Sequence, residues 1–161
     1  MKDYSKIPEE LKNMNQWVCA WDNSKIPMKA FEKKAASSTA PDTWSSFEQA
    51  EWAVENGYYD NLGFVFADNG LVGIDAGFED GLMTPLCADI MTACKSYTEK
   101  SRSGRGVHIL LRGSLPFHGK NNLAGVEIYK ARRFFIMTGK QLIFPTIIEN
   151  QEAIDYVVEK Y

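Results

Sequence analysis

Leu62-Gly63-Phe64-Val65-Phe66-Ala67-Asp68-Asn69-Gly70-Leu71-Val72-Gly73-Ile74-Asp75 holds two short apolar runs around a turn-forming Asp-Asn-Gly. Runs of this length, rich in bulky and β-branched residues, read as strands, and Asp-Asn-Gly between them predicts a hairpin. The second run ends on a carboxylate, Asp75, so the same stretch also raises the question of function.

The flanking segments alternate between helix and strand signals. Pro8 to Met14 reads as a short helix with proline in its first turn, and Gln16–Trp21 as a strand. Residues 22–43 carry turn and breaker residues and read as loop with at most a short strand. Ser45-Ser46-Phe47-Glu48 has capping-box spacing and opens a helix to about Asn56, with Gly57 as its stop. Thr84-Pro85 places a cap and a first-turn proline before a helix that ends near Cys94. Val107–Arg112, Gly125–Tyr129 and Phe134–Gly139 read as three further strands. Asn150 caps a last helix, Gln151 to about Lys160, with Ile154, Val157 and Val158 on one face. Strands joined by tight turns and interleaved with a few helices predict an α+β (mixed α/β) domain with a largely antiparallel sheet.

The chain has 161 residues, enough for one domain with a buried core, so residues 1–161 are expected to form a single domain. No stretch reaches the ~18 apolar residues of a membrane span, and the charged N-terminus does not read as a signal peptide. Cys87 and Cys94 are placed to share a buried helix face. With three cysteines, two histidines and no CxxC, a zinc site is not expected; a reduced, cytoplasmic setting fits. The net charge of −3 hides an asymmetry: Lys95–Lys140 contains ten Lys/Arg against Glu99 and Glu127, and the remainder is acidic. Such a basic segment suits a polyanion partner, or is simply a solvated face.

Three places can carry chemistry. Asp75 at a strand end is costly to bury unless a metal or cation offsets it; otherwise it caps the following turn. Ser103-Gly104-Arg105-Gly106-Val107-His108 is a glycine-rich turn entering a strand, where backbone N–H groups approach an anion closely and Ser103, Arg105 and His108 add donors. Its other reading is a tight hairpin. Glu127 shares a strand face with Tyr129, opposite Val126 and Ile128. It reads either as a metal ligand facing Asp75 or as a salt-bridge partner of Lys130, Arg132 or Arg133. His118 sits in a loop and reads as a surface residue. The tryptophans at 17, 21, 44 and 52 read as packing residues rather than base-stacking platforms. G-x-S-x-G and the G-x-x-x-x-G-K-[ST] phosphate loop are absent.

Several segments, taken in order, carry a resemblance. They are Pro8–Leu11 through Gln16-Trp17-Val18, Lys25-Ile26-Pro27, Ala36–Thr39 with Thr43-Trp44-Ser45, Leu62–Phe66, Val72–Asp75, Ser96–Glu99, Ser103–His108, Gly125–Tyr129, and Arg133-Phe134-Phe135 with Met137-Thr138-Gly139. Together they resemble the primase-polymerase domain of the archaeo-eukaryotic primase superfamily, in its phage and plasmid form. The resemblance implies an RRM-like sheet flanked by helices that joins NTPs or dNTPs on a single-stranded DNA template. It implies Mg²⁺ or Mn²⁺ held by an Asp-x-Asp pair and a third acid. Asp75 would be the first carboxylate and Glu127 the third. Ser103, Arg105 and His108, within the Gly104 and Gly106 turn, would hold the triphosphate; Arg133 and Lys25 would be further phosphate or template contacts. The catalytic set would then be Asp75, Glu127 and His108, and a helicase domain or protein would be a further partner.

The pattern breaks at Gly77, where the second carboxylate would stand. Glu79 or Asp80 would have to swing in to replace it. Arg102 also stands where the family often has proline. A second reading therefore stays open: a non-catalytic nucleotide- or single-strand-binding module of a mobile-element replication system. A rolling-circle endonuclease, which needs a His-x-His pair and a tyrosine nucleophile, is disfavoured by the spacing of His108 and His118.

Overall fold

Helix caps settle much of the local structure. Thr84 accepts the Cys87 amide and Asn150 the Ala153 amide, starting α3 (Pro85–Cys94) and α4 (Gln151–Lys160) where the sequence places them. The computed structural model describes residues 2–121 and 125–161. The capping box of α2 (Phe47–Glu55) is Ser46 with Gln49, one residue later than Ser45 with Glu48. Ser45 is instead committed to paired backbone hydrogen bonds with Trp17. The helix α1 is one turn, Glu9–Lys12, with Pro8 as its cap.

Eight strands follow: β1 (Trp17–Ala20), β2 (Asn61–Ala67), β3 (Leu71–Gly77), β4 (Thr98–Lys100), β5 (Gly106–Arg112), β6 (Gly119–Asn121), β7 (Val126–Tyr129) and β8 (Ala131–Met137). They form two sheets, ordered β1-β2-β8 and β4-β5-β3-β7-β6, in which every neighbouring pair is antiparallel. The α+β class therefore holds, with the strands divided between two sheets. β4 and β6 were not expected, because three residues are too few to show an alternation.

The expected Leu62–Asp75 hairpin is not formed. β2 pairs with β1 and β8, while β3 pairs with β5 and β7, so the Asp-Asn-Gly turn carries the chain from one sheet to the other. The physical reason lies in the side chains. Phe66 from β2 and Phe135 from β8 pack their rings onto the bare backbone of Gly73 in β3, where a Cβ would lie 2.7 Å from Phe135 and collide with Phe66. The two runs meet face to face through aromatic rings rather than edge to edge. Gly73→Val should overpack this contact and cost about 1–3 kcal/mol. A urea midpoint shifted clearly downward checks this; an unchanged midpoint would refute the packing role of Gly73.

Period-2 alternation gives the larger sheet two different faces. Val72, Ile74, Ala76, Val107, Ile109, Leu111, Val126 and Ile128 pack with Cys87, Ile90, Cys94, Ile154 and Val157 of α3 and α4. Cys87 and Cys94 thus share a buried face as expected, and all three cysteines are buried and free. The opposite face carries Gly73, Leu110 and Tyr129 toward the second core, built on Trp17, Phe47, Phe64, Phe66 and Phe135. Further along the same face the side chains become Asp75, His108 and Glu127. The apolar seam between the sheets thereby gives way to a polar cavity.

Trp17 is buried, whereas Trp21 and Trp52 are partly exposed at the surface, where Trp21 packs on Tyr59 and Trp52 on Phe31 and Tyr58. Trp52 lies on the outer side of α2, whose Phe47, Ala50 and Ala53 face inward. Among the described residues no helix is long and apolar enough to cross a membrane.

Candidate functional site: a cationic cavity beside paired carboxylates

Strand register lines four polar side chains in one row. Glu99 of β4 is opposite His108 of β5, His108 is opposite Asp75 of β3, and Asp75 is opposite Glu127 of β7. His108 Nε2 lies 3.8 Å from Asp75, and its Nδ1 lies 3.5 Å from Glu99. The His108 ring stacks on Phe135 at 4.6 Å, which fixes its plane.

This row opens into a cavity of about 700 Å³. Asp75 and His108 form its floor, residues 132–136 of β8 one wall, and the 101–105 turn and the 22–27 loop the rest. In the 101–105 turn, Gly104 adopts φ +74°, its amide donates to Ser101, and the Arg105 amide donates to Ser103 Oγ. Glycine is suited to this left-handed position, and the turn projects Ser103 and Arg105 together at the cavity.

Five cationic side chains line the cavity: Lys25, Arg102, Arg105, Arg132 and Arg133. Only Asp22 and Asp75 oppose them among the lining residues, so the enclosure favours anions. Arg132 was not anticipated, because alternation would turn it away from Arg133. The register between β2 and β8 slips at Phe66/Ala67, and Arg132 takes φ +62°. That bulge adds a residue and lets consecutive arginines border one cavity. Arg102 is 3.7 Å from Asp22, a contact that links the two loops at the mouth.

The structure thus brings together Lys25, Asp75, Ser103, Arg105, Gly106, His108 and Arg133 around one enclosure. Glu127 sits beside Asp75 but is engaged by Tyr129 Oη at 2.7 Å and by Arg133 at 3.4 Å. Glu79 and Asp80 lie in an exposed turn closed by the Glu79–Leu82 backbone pair, and neither lines the cavity. His118 is exposed, as expected. Among the described residues no group of three or more His, Cys, Asp or Glu is arranged to hold a metal ion.

The chain is similar to a phage DNA primase-polymerase. Over 138 residues it is 28% identical to the DNA Primase-polymerase of Nitratiruptor phage NrS-1, covering 78% of this chain and 19% of that protein. The chain therefore spans about a fifth of the length of the relative it matches. No protein-family model matches it.

Both central groups are shifted upward, for different reasons. Burial raises the Asp75 carboxyl above its ordinary range; His108 and Arg133 pull it back, and Glu127 pushes it further up. For His108, burial alone favours the neutral ring, but Glu99, Asp75 and the Ile136 backbone outweigh it and the net direction is up. A carboxyl raised in the folded state opposes folding once ionised; this opposition begins to fade as pH falls through the folded value and is gone only below the ordinary carboxyl value. Asp75→Asn should therefore raise the melting temperature at pH 7, with the gain fading near pH 4. A lower melting temperature at pH 7 would contradict this reading.

Proposed function

We propose that this chain is a primase-polymerase-type nucleotidyltransferase domain whose nucleoside triphosphate occupies the cationic cavity. The observation that carries the reading is the convergence of Lys25, Ser103, Arg105, His108 and Arg133 on one enclosure, directly beside Asp75. Arginine and lysine suit the charge and geometry of a triphosphate, and the glycine turn allows close approach of backbone. The similarity to a phage DNA primase-polymerase supports single-stranded DNA as template and NTP or dNTP as substrate. A helicase would be a natural partner in such a replication system.

A divalent cation, Mg²⁺ or Mn²⁺, belongs to this reading, and Asp75 and Glu127 are the residues that would hold it. The donor set is one short: no side chain stands at Gly77, and Glu127 is already engaged by Arg133 and Tyr129. Two carboxylates are a thin ligand set for a hard cation, which prefers several oxygens. What the chain's own residues supply is a charge cradle that binds and orients a triphosphate.

The same shortfall favours a second reading, a nucleotide- or single-strand-binding module that has lost turnover. Primer extension on single-stranded DNA with Mg²⁺ or Mn²⁺, run beside ATP binding, separates the two. Template-directed product establishes a polymerase. ATP binding without product, in either metal, establishes the binding module. Neither product nor ATP binding would sink both readings.

A further inference from the structure

Glu99 is a fully buried carboxylate that the proposed function does not use. One of its oxygens accepts from Tyr97 Oη at 2.8 Å and from the Gly139 amide at 3.0 Å; the other accepts from the Thr138 amide at 2.9 Å. That second oxygen is also the one 3.5 Å from His108 Nδ1. His108 Nδ1 is itself buried and makes no well-formed hydrogen bond, so the Glu99 charge is what faces it. Enclosing a carboxylate without solvent is costly unless donors and a cation surround it. Here three donors hold the carboxylate still, and its remaining capacity is aimed at one imidazole.

The location adds to this. Glu99 joins the strands on both sides of the cavity: β4 and β5 of the larger sheet through His108, and the end of β8 through Thr138 and Gly139. Thr138 also donates from Oγ1 to the Lys100 carbonyl at 2.6 Å, closing the same junction. With Phe135 stacked on one face of the ring and a Glu99 oxygen 3.5 Å behind Nδ1, Nε2 is left toward the cavity and Asp75.

We propose that Glu99 is a positioning residue of the anion cavity: from behind His108 it holds the ring so that Nε2 is presented to the bound phosphate. The proposal rests on the cavity being a triphosphate site, and it concerns a residue that touches no ligand. A purely structural Glu99 would tie β4 to β8 without affecting what His108 does.

A double-mutant cycle on ATP binding separates these roles. Glu99→Gln keeps the shape and removes the charge. It is expected to weaken ATP about tenfold, comparable to the loss of one charged hydrogen bond. In a His108→Ala background the same change should have no further effect. Additive losses in the double variant, or wild-type affinity in Glu99→Gln, would overturn the proposal. If Glu99→Gln does not fold, Tyr97→Phe removes one donor to the carboxylate instead. It should give a smaller loss that likewise disappears without His108. Imidazole ¹⁵N NMR gives a readout that needs no ligand, since His118 is the sole other histidine. The Nδ1 resonance of His108 should move on Glu99→Gln while those of His118 stay in place. An unmoved His108 overturns the proposal even if ATP does not bind, whereas absent ATP binding with a moved His108 counts against the cavity reading alone.

Discussion

Gly77→Asp is expected to raise Mg²⁺- or Mn²⁺-dependent primer extension by roughly 100-fold or more over the native chain. Position 77 lies on the same strand face as Asp75, two residues further along β3. A Cβ there would meet nothing closer than the Gly125 carbonyl at 3.9 Å and the Arg105 carbonyl at 4.0 Å. A carboxylate can therefore be added without displacing the backbone. A close opposite charge in a partly shielded site is worth about 3–4 kcal/mol, and each 1.36 kcal/mol is about tenfold in rate. The same change should lower the melting temperature without metal, since it sets a third negative charge near Asp75 and Glu127. Adding Mn²⁺ should restore it. Unchanged activity together with no metal effect on melting would show that the missing carboxylate is not what limits this site.

Asp75→Ala, introduced into the Gly77→Asp background, is expected to abolish the gained extension, by about 1000-fold or to the detection limit, as removing a principal metal ligand does. Asp75 lines the cavity floor, and its ion-pair contact there is His108 at 3.8 Å, whereas Glu127 is paired with Arg133. In the native chain the same substitution should leave metal-free ATP binding intact or tighten it, because it removes a negative charge from a cationic enclosure. Opposite signs for turnover and binding distinguish a ligand role from structural damage. A parallel loss of both would mean that Asp75 supports the fold of the site rather than its chemistry.

Features written in local chemistry were readable from the sequence, and features set by tertiary contact were not. Thr84-Pro85 and Asn150 fix helix starts through their own side chains, and the alternation in Val126–Tyr129 follows burial on one face, while the continuous apolar run of Val107–Leu111 follows burial on both. The Ser103–His108 turn could be singled out because its glycines and donors are contiguous. The Leu62–Asp75 hairpin failed because the turn signal says only that the chain reverses. Whether the runs pair edge to edge or meet through Phe66 and Phe135 over Gly73 depends on β1, β5, β7 and β8. Arg132 was hidden by a bulge whose origin lies in the β2–β8 register. Glu99 was counted as one of two acids in a basic segment; its burial and its place behind His108 appear only once β4 is paired with β5. A carboxylate two residues after an aromatic and shortly before a Gly-x-Gly-x-His turn was the available signal.

The claim on which the rest depends is that the cavity between the two sheets holds a triphosphate through the 101–105 turn and its neighbours. Equilibrium titration of the native chain and of Arg105→Ala with ATP, without metal, tests it most directly. Arg105 lines the cavity and is exposed at its rim, so its removal should not disturb the core. Saturable binding by the native chain, weakened about 10- to 100-fold in Arg105→Ala, is the predicted result. Absence of saturable binding, or equal affinity in the two proteins, would contradict it.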